Sequence, residues 1–407
     1  MDAYNCYTNT ASTCTHKAYV AWATTGKATV AIGGLTMHAT FKLTMRADGG
    51  LRDGDLNSFR TALTNVQSAI VDKCSMTSSD TPVRVDDRLR QITGNYDDPF
   101  GGLDVIVCGD LRQLPPVRAR EVYKRSKTRN NIFNTHVTWH HLSYFALGQV
   151  VSQSDAISFT ALSKIGDGRA LENEEVDMFQ ARFLSKYDIK CRGPQAARLF
   201  YSNKDAEVYN TQNAIQDADA IYEANADDAI IDYRSDADCE SAKCRLDSLT
   251  TGQVGNLPRK VVLCLGKPYM LTLNIDVPGG VVNAAVTDLK HVQFDEMGLL
   301  ICIWPHFHSQ AIGNIARLKS KPIRQVAGPV IPVHSVPMDV SCRRKQFPVL
   351  QGSAVTIDKS QGGTYSEVVY DYNKCHPDKL VYVTLRRATT LDGLYLRNTE
   401  NDFTFHR

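Results

Sequence analysis

Apolar residues at Leu56, Phe59, Leu63 and Val66 recur at helical spacing and run into Ala69, Ile70 and Val71, which stop at Asp72. A second apolar run, Val105 to Cys108, stops at Gly109 and Asp110. Both runs read as buried strands ending in acidic residues, which suits a parallel sheet whose ligands gather at the strands' carboxyl ends. The first half of the chain is therefore expected to form an open α/β domain.

Further along, Leu171, Val176, Phe179 and Phe183, with Glu172, Glu174, Glu175 and Asp177 near the start, describe an amphipathic helix whose early carboxylates suit its dipole. A strand follows at Ala196 to Tyr201. Between Asp205 and Glu240 stand eleven acidic residues against one basic residue, Arg234, and the second half of this stretch is expected to be a solvated surface segment. From Pro258 to Pro348 short strands alternate with Gly and Pro, including Val261 to Leu265, Tyr269 to Leu273 and Leu299 to Trp304, the pattern of a small β-barrel insertion. The α/β pattern resumes at Ala354 to Ile357, Glu367 to Asp371 and Leu380 to Thr384. There is no internal repeat of fixed period, which argues against solenoids and propellers.

With 407 residues the chain is long enough for two or three domains, and 43% hydrophobic and 22% charged residues are those of an ordinary globular protein. A net charge of +2 leaves any nucleic-acid partner to local patches. Eleven cysteines without a CxxC pair, behind an N-terminus lacking a basic and an apolar signal region, read as reduced intracellular thiols. The longest apolar runs fall far short of the roughly 18 residues of a membrane helix, so no membrane partner is expected.

Two strings carry chemistry. In IVDKCSM (Ile70 to Met76), Asp72 stands where a carboxylate can hold a magnesium ion through water beside a nucleotide. In DVIVCGDLRQLPPV (Asp104 to Val117), the two prolines fix the backbone after Gln113, so its amide can be aimed at a phosphate or a water with little entropy lost.

GDLRQLPPV resembles a specific string of the PIF helicases, a superfamily-one DNA helicase family that includes the Helitron helicase module and relatives of RecD. The resemblance runs from about Ala21 to Leu396 in the family's motif order. TTGKATVAIGGLTMHATF (Thr24 to Phe41) is similar to the second motif, and RLFYSNKDAEVYN (Arg198 to Asn210) to the opening of the second lobe's motor core. CLGKPYMLTLNIDVPGGVVNAA (Cys264 to Ala285) is similar to the start of an SH3-like barrel. AVTIDKSQGGTY (Ala354 to Tyr365) and LVYVTLRRATTLDGLYL (Leu380 to Leu396) resemble the last two motifs.

The resemblance implies two RecA-like lobes of the P-loop NTPase type with an inserted small SH3-like β-barrel. The expected parts are an incomplete first lobe at 1–148, a second lobe at 149–257 and 349–407 carrying the acidic segment, and the barrel at 258–348. It implies ATP and Mg2+ as cofactors, with Asp72 on the metal, Gln113 and Gln361 at the γ-phosphate and Arg387 as the arginine finger. Thr25, Thr36, His38, Lys359, Ser360 and Thr364 would face the DNA strand. Taken singly, Thr36 and His38 read as a capped turn. The implied activity is ATP-driven 5′ to 3′ unwinding of single-stranded and forked DNA in the nucleus, in repair, recombination, telomere maintenance or transposon movement.

The sequence departs from the family at several positions. No GxxxxGK followed by Ser or Thr is present; Gly26-Lys27 has Ala21 where the first glycine belongs and Ala28 where the hydroxyl belongs. Too few residues precede Trp22 for the missing strand, loop and helix, so the chain reads as truncated at its N-terminus. Lys73 stands where the family has the glutamate that activates water, and a lost general base removes about 10²–10⁴ in rate. Ser152 replaces an arginine and Asp358 a histidine. An alternative reading is thus a catalytically dead, single-strand-binding relic of a transposon helicase, and a third is a chain that folds poorly because its first sheet is incomplete.

Basic runs at Arg118 to Arg129 and at Arg343, Arg344 and Lys345 are candidate phosphate contacts, although a solvated basic face is their commoner meaning. His306 and His308 near Cys302, and Cys239 with Cys244, have metal-like spacing but supply no four-ligand pattern, so no structural zinc is expected.

Overall fold

The small and β-branched run that ends at Asp72 forms the strand its pattern predicts, and it lies inside a parallel sheet. The computed structural model describes residues 18–25, 28–29, 32–43, 51–124, 139, 142–147, 156–192, 196–214, 220–277, 279–310, 312–318, 322–327, 331–335, 338–398 and 402–406. By packing, the chain divides into two units, Met1–Ala196 with Gln361–Arg407, and Ala197–Ser360. This division cuts at 196/197 and 360/361, whereas the motif order suggests cuts at 148/149, 257/258 and 348/349.

In the first unit β1 (Tyr19–Ala23), β2 (Leu35–Thr36), β3 (Ser68–Asp72) and β4 (Asp104–Val107) run parallel in the order β2-β1-β3-β4. Ala23 is in register with Asp72 and Val71 with Val107, so three strand ends lie level. The core beneath them gathers Trp22, Phe41, Val71 and Leu89, with Trp22 edge-on to Phe41 at 4.6 Å. Leu56, Phe59 and Leu63 of the helix Asp53–Leu63 pack on this cluster from its rim. β4 corrects one expectation: it is an edge among the described strands, and Ile106 is 53% exposed.

A helix that hydrophobic spacing leaves unmarked, Asp80–Thr93, fills the space beside the sheet. Its apolar Val83, Val85, Leu89 and Ile92 are interleaved with Asp86, Asp87, Arg88 and Arg90, all buried. Asp86 accepts both from Arg90 at 3.0 Å and from the Phe100 backbone N–H at 2.5 Å, so the charges are consumed internally. Such a pair fixes the helix against the turn at Pro99–Gly102, where Phe100 itself has φ 53°.

The second unit opens with β5 (Ala197–Phe200) and the helix Asn203–Ala214. The acidic stretch then forms β6 (Ile221–Asn225), β7 (Asp227–Ile231) and the helix Asp236–Ser248, ordered elements whose residues up to Glu240 are exposed or half-buried apart from Ala224. Then come β8 (Lys260–Cys264), β9 (Pro268–Leu271), β10 (Val286–Phe294), β11 (Leu300–His306) and β12 (Ile323–Arg324). They are followed by β13 (Val326–Ala327), β14 (Ile331–Ser335), β15 (Met338–Gln346) and β16 (Val349–Gln351).

An antiparallel sheet in the order β12-β11-β10-β9-β16 encloses Leu263, Tyr269, Leu271, Leu289, Ile303 and Phe347. β7 pairs with β15, which sets Asp228 opposite Arg344. Arg344 is 2% exposed and forks onto Asp228 through two bonds of 2.8 Å, so one member of the basic run at 343–345 is an internal strut and not a phosphate contact. β17 (Ala354–Thr356) closes the unit by pairing parallel with β5. Asn210 bonds through its side chain to the backbone of Gln351 and Ala354 at 2.8–3.0 Å and holds the helix to that pair.

The chain then returns to the first unit with β18 (Val368–Asp371), the helix Asp378–Leu385 and β19 (Leu394–Arg397), parallel to β18. The amphipathic helix forms at Asn173–Gln180 with a capping box between Glu172 and Glu175, and Lys164 joins both carboxylates. No described helix is long and apolar enough to cross a membrane.

Candidate functional site

At the carboxyl end of the first unit's sheet a cleft of about 260 Å3 is lined by Asp72, Lys73, Ser75, Gly109, Asp110, Gln113, Gly362, Thr364 and Arg387. Asp72 is the last residue of β3, and Gly109 and Asp110 follow β4, so both acidic strand ends reach one cavity. Gly109 is required by close approach, because a Cβ there would lie 2.7 Å from Cys74 Sγ and 2.8 Å from Cys74 N.

Lys73 leaves β3 in a left-handed conformation (φ 60°, ψ 48°), its carbonyl accepting from Thr24 Oγ1 at 3.0 Å. Its ammonium reaches back to the Gln361 carbonyl at 3.5 Å and occupies the space over Gly362 that a Cβ would fill. Burial pushes the Lys73 pKa down, Asp72 pulls it up, and Arg387 pushes it down further.

Arg387 is 7% exposed and is anchored by bonds to the Val383 and Gly363 carbonyls at 2.9 and 2.8 Å. Two of its five N–H donors are thus used. Burial, with Arg386 next in weight, brings it down to about 10. Two desolvated cations that oppose each other make the cleft a place where an anion's charge is favoured.

Gln361 Nε2 donates to Gln113 Oε1 at 3.2 Å, and Gln113 Nε2 points to Asp110 Oδ2 at 3.4 Å. Gln361 Oε1 is buried without a hydrogen-bond partner among the described residues, an acceptor open to a donor. Asp110 also accepts from Tyr382 at 2.6 Å and from Arg386 at 2.8 Å, and burial and this bond push Tyr382 up to about 12. Cys74 is pushed up to about 11 by burial and the nearby Cys108, Asp72 and Asp110, so it is a protonated wall and no nucleophile.

Sequence reasoning named Asp72, Gln113, Gln361 and Arg387, and the structure brings all four together at this cavity. It missed Asp110, Arg386 and Tyr382 as one network; their signal was present in Gly109-Asp110 and in the doubled arginine. Thr364, expected to face DNA, lines the cleft. Thr25 accepts from the Ala28 N–H at 3.4 Å as a cap, and Thr36 pairs with Ala23 in β2. His38 is exposed in the turn Met37–Thr40, its pKa lowered by partial desolvation and then by Arg84.

In the second unit Lys359 is half-buried and its pKa is lowered by burial, against the pull of Glu207. Ser360 is fully buried and donates to the Ile357 carbonyl at 2.7 Å, which removes its hydroxyl from the surface. Asp358 is exposed. Gly26, Lys27, Ser152 and Arg125 to Arg129 lie outside the described residues.

The donor set fits the phosphate part of a nucleotide, since Lys73, Arg387 and the Gln113–Gln361 pair offer cations and amides at strand ends. For a hard divalent cation Asp72 supplies one carboxylate, and Ser75 an adjacent hydroxyl; Asp110 is already engaged by Arg386 and Tyr382.

An open α/β protein with an anion-accepting cleft at the carboxyl ends of its strands has its cleft where such folds bind their ligands. A family model described as PIF1-like helicase matches residues 8–173. The chain is 26% identical over 394 residues to the ATP-dependent DNA helicase PIF1 of Danio rerio, covering 93% of this chain and 54% of that protein. It is 24% identical to the ATP-dependent DNA helicase Pif1 of Bdellovibrio bacteriovorus, over 92% of this chain and 76% of that one.

Among solved structures, Pif1 helicase from Bacteroides in complex with ADP-AlF3 and ssDNA superposes with a TM-score of 0.67 at 20% identity, covering 97% of this chain and 84% of that one. Pif1 helicase from Candida albicans gives 0.64 at 20% identity, over 96% and 86%. The chain is thus similar to PIF1-like helicases over nearly its whole length and has the mixed α/β fold of the solved Pif1 structures. It spans about half the length of the curated vertebrate relatives it matches.

Proposed function

We propose that this chain is the motor portion of a PIF-type DNA helicase, binding ATP with Mg2+ at the strand-end cleft and coupling its hydrolysis to 5′ to 3′ movement on single-stranded and forked DNA. The observation that carries the reading is the convergence of Asp72, Gln113 and Arg387 on one cleft, with the buried, unpartnered Gln361 Oε1 at its edge. Asp72 holds the metal ion, Gln113 and Gln361 read the γ-phosphate, and Arg387 meets charge that develops on the transferring phosphoryl group. A metal ion held by Asp72 would neutralise phosphate charge. Thr25, Thr36, His38, Lys359, Ser360 and Thr364 lie along the DNA, Ser360 through its backbone because its hydroxyl is spent on the Ile357 carbonyl, and the substrate implies the nucleus. The lobes are 1–148, and 149–257 with 349–407; the five-stranded antiparallel sheet supports 258–348 as an SH3-like insert.

A second reading, a single-strand-binding relic without turnover, is favoured by Lys73, whose ammonium stands in the cleft where a general base is needed. ATP hydrolysis by the chain with and without single-stranded DNA, beside Lys73→Glu, separates the two. The motor reading expects DNA-stimulated hydrolysis that rises in Lys73→Glu. Tight DNA binding with no hydrolysis in either folded protein would support the relic.

A further inference from the structure

We propose that Asp288, His306 and His308 form a binding site for a first-row divalent transition-metal ion on the outer face of the second unit's antiparallel sheet. The sheet builds the site. Asp288 on β10 is the register partner of His306 at the end of β11. One residue on, Phe307 is buried in the core at 7% exposure, so alternation turns both His306 and His308 outward around it.

One ligand atom from each of the three residues lies within 4.8 Å of the others. His308 Nε2 is already 3.3 Å from Asp288 Oδ2. Donors on one zinc ion, each about 2.0–2.2 Å from it, stand roughly 3.3 Å apart in tetrahedral geometry, the spacing that His308 and Asp288 already have. The two imidazoles meet at 5.6 Å in an edge-to-face arrangement, which sterically allows both rings to turn a nitrogen toward a shared point.

Two imidazoles and one carboxylate select zinc, cobalt, nickel or copper over magnesium or calcium, which prefer all-oxygen shells. Three protein ligands leave a position for water. The bland alternative is a surface His–Asp ion pair, with Lys290 Nζ 3.9 Å from the same carboxylate. The spacing of His306 and His308 was visible in the sequence; the third ligand was not, because Asp288 arrives from the neighbouring strand. This site is independent of the nucleotide reading and stands or falls alone.

The test uses the full chain without a polyhistidine tag, stripped by chelator and titrated with Co2+ by visible absorption and with Zn2+ by calorimetry. The proposal expects one equivalent bound with a nitrogen-and-oxygen cobalt spectrum, lost in His306→Ala with His308→Ala and weakened about ten-fold or more in Asp288→Asn. All three side chains are at the surface or half-buried, so the variants retain the fold. A thiolate-to-cobalt charge-transfer band, pointing to the exposed cysteines, or undiminished binding in the double histidine variant, would overturn it.

Discussion

Replacing Asp228 by alanine is expected to destabilise the second unit by about 3–5 kcal/mol, the consequence of leaving a buried guanidinium unpaired. The side chain of Arg344 is 2% exposed and that of Asp228 17%, so solvent cannot replace the lost carboxylate. Two bonds of 2.8 Å disappear together, and the remaining partner, the Leu257 carbonyl at 3.4 Å, is too distant to compensate. Trp304, the one tryptophan of residues 197–360, reports on this unit in a background carrying Trp22→Phe and Trp139→Phe. With a urea slope of about 2 kcal/mol per molar, the midpoint should fall by about 1.5–2.5 M. Pairing Asp228→Leu with Arg344→Met should recover most of the loss, because an apolar pair carries no desolvation penalty. A midpoint shift under roughly 0.3 M in Asp228→Ala would refute the reasoning, since it would mean that the buried guanidinium does not depend on this carboxylate.

Asp87, held up at about 6 chiefly by burial and then by Asp86, binds a proton in the folded state that the unfolded chain releases. Stability therefore rises as pH falls from about 6 toward about 4, by on the order of 2–3 kcal/mol, and Asp87→Asn should flatten that rise in urea midpoints measured across the window. Tyr269, 1% exposed, accepts from the Cys264 N–H at 2.7 Å and donates to the Val262 carbonyl at 2.9 Å. Tyr269→Phe should lower the second unit's stability by about 1–3 kcal/mol, read from Trp304 fluorescence in urea. Gly109→Ala drives a methyl group against Cys74 and should lower the first unit's stability by about 1–3 kcal/mol, measured by thermal unfolding, while weakening nucleotide binding at the cleft.

The strand ends were legible because a short apolar run halted by a carboxylate leaves few ways to fold, and Asp72 and Asp110 stand where that pattern puts them. The family strings then supplied Gln361 and Arg387; no periodicity could have joined Gln361 to Gln113 over a sequence separation of 248. Charge concealed structure in two places. The helix Asp80–Thr93 hid because Asp86 and Arg90 neutralise each other inside the core, so a polar pattern covered a buried element. The acidic stretch is exposed as its charge suggests, but its tie through Asp228 was illegible because the partner lies 116 residues on, beyond any local window. The edge character of β4 was hidden for the opposite reason: Ile106 is apolar and more than half exposed.

The most direct test of the central claim is calorimetric binding of a slowly hydrolysed ATP analogue with Mg2+ to the full chain, beside Asp72→Ala and Arg387→Ala. The account predicts one site per chain, weakened about 10–100-fold by losing a charged contact in Arg387→Ala and made less dependent on Mg2+ in Asp72→Ala. Absence of binding by the folded chain, or binding that neither substitution alters, would contradict it.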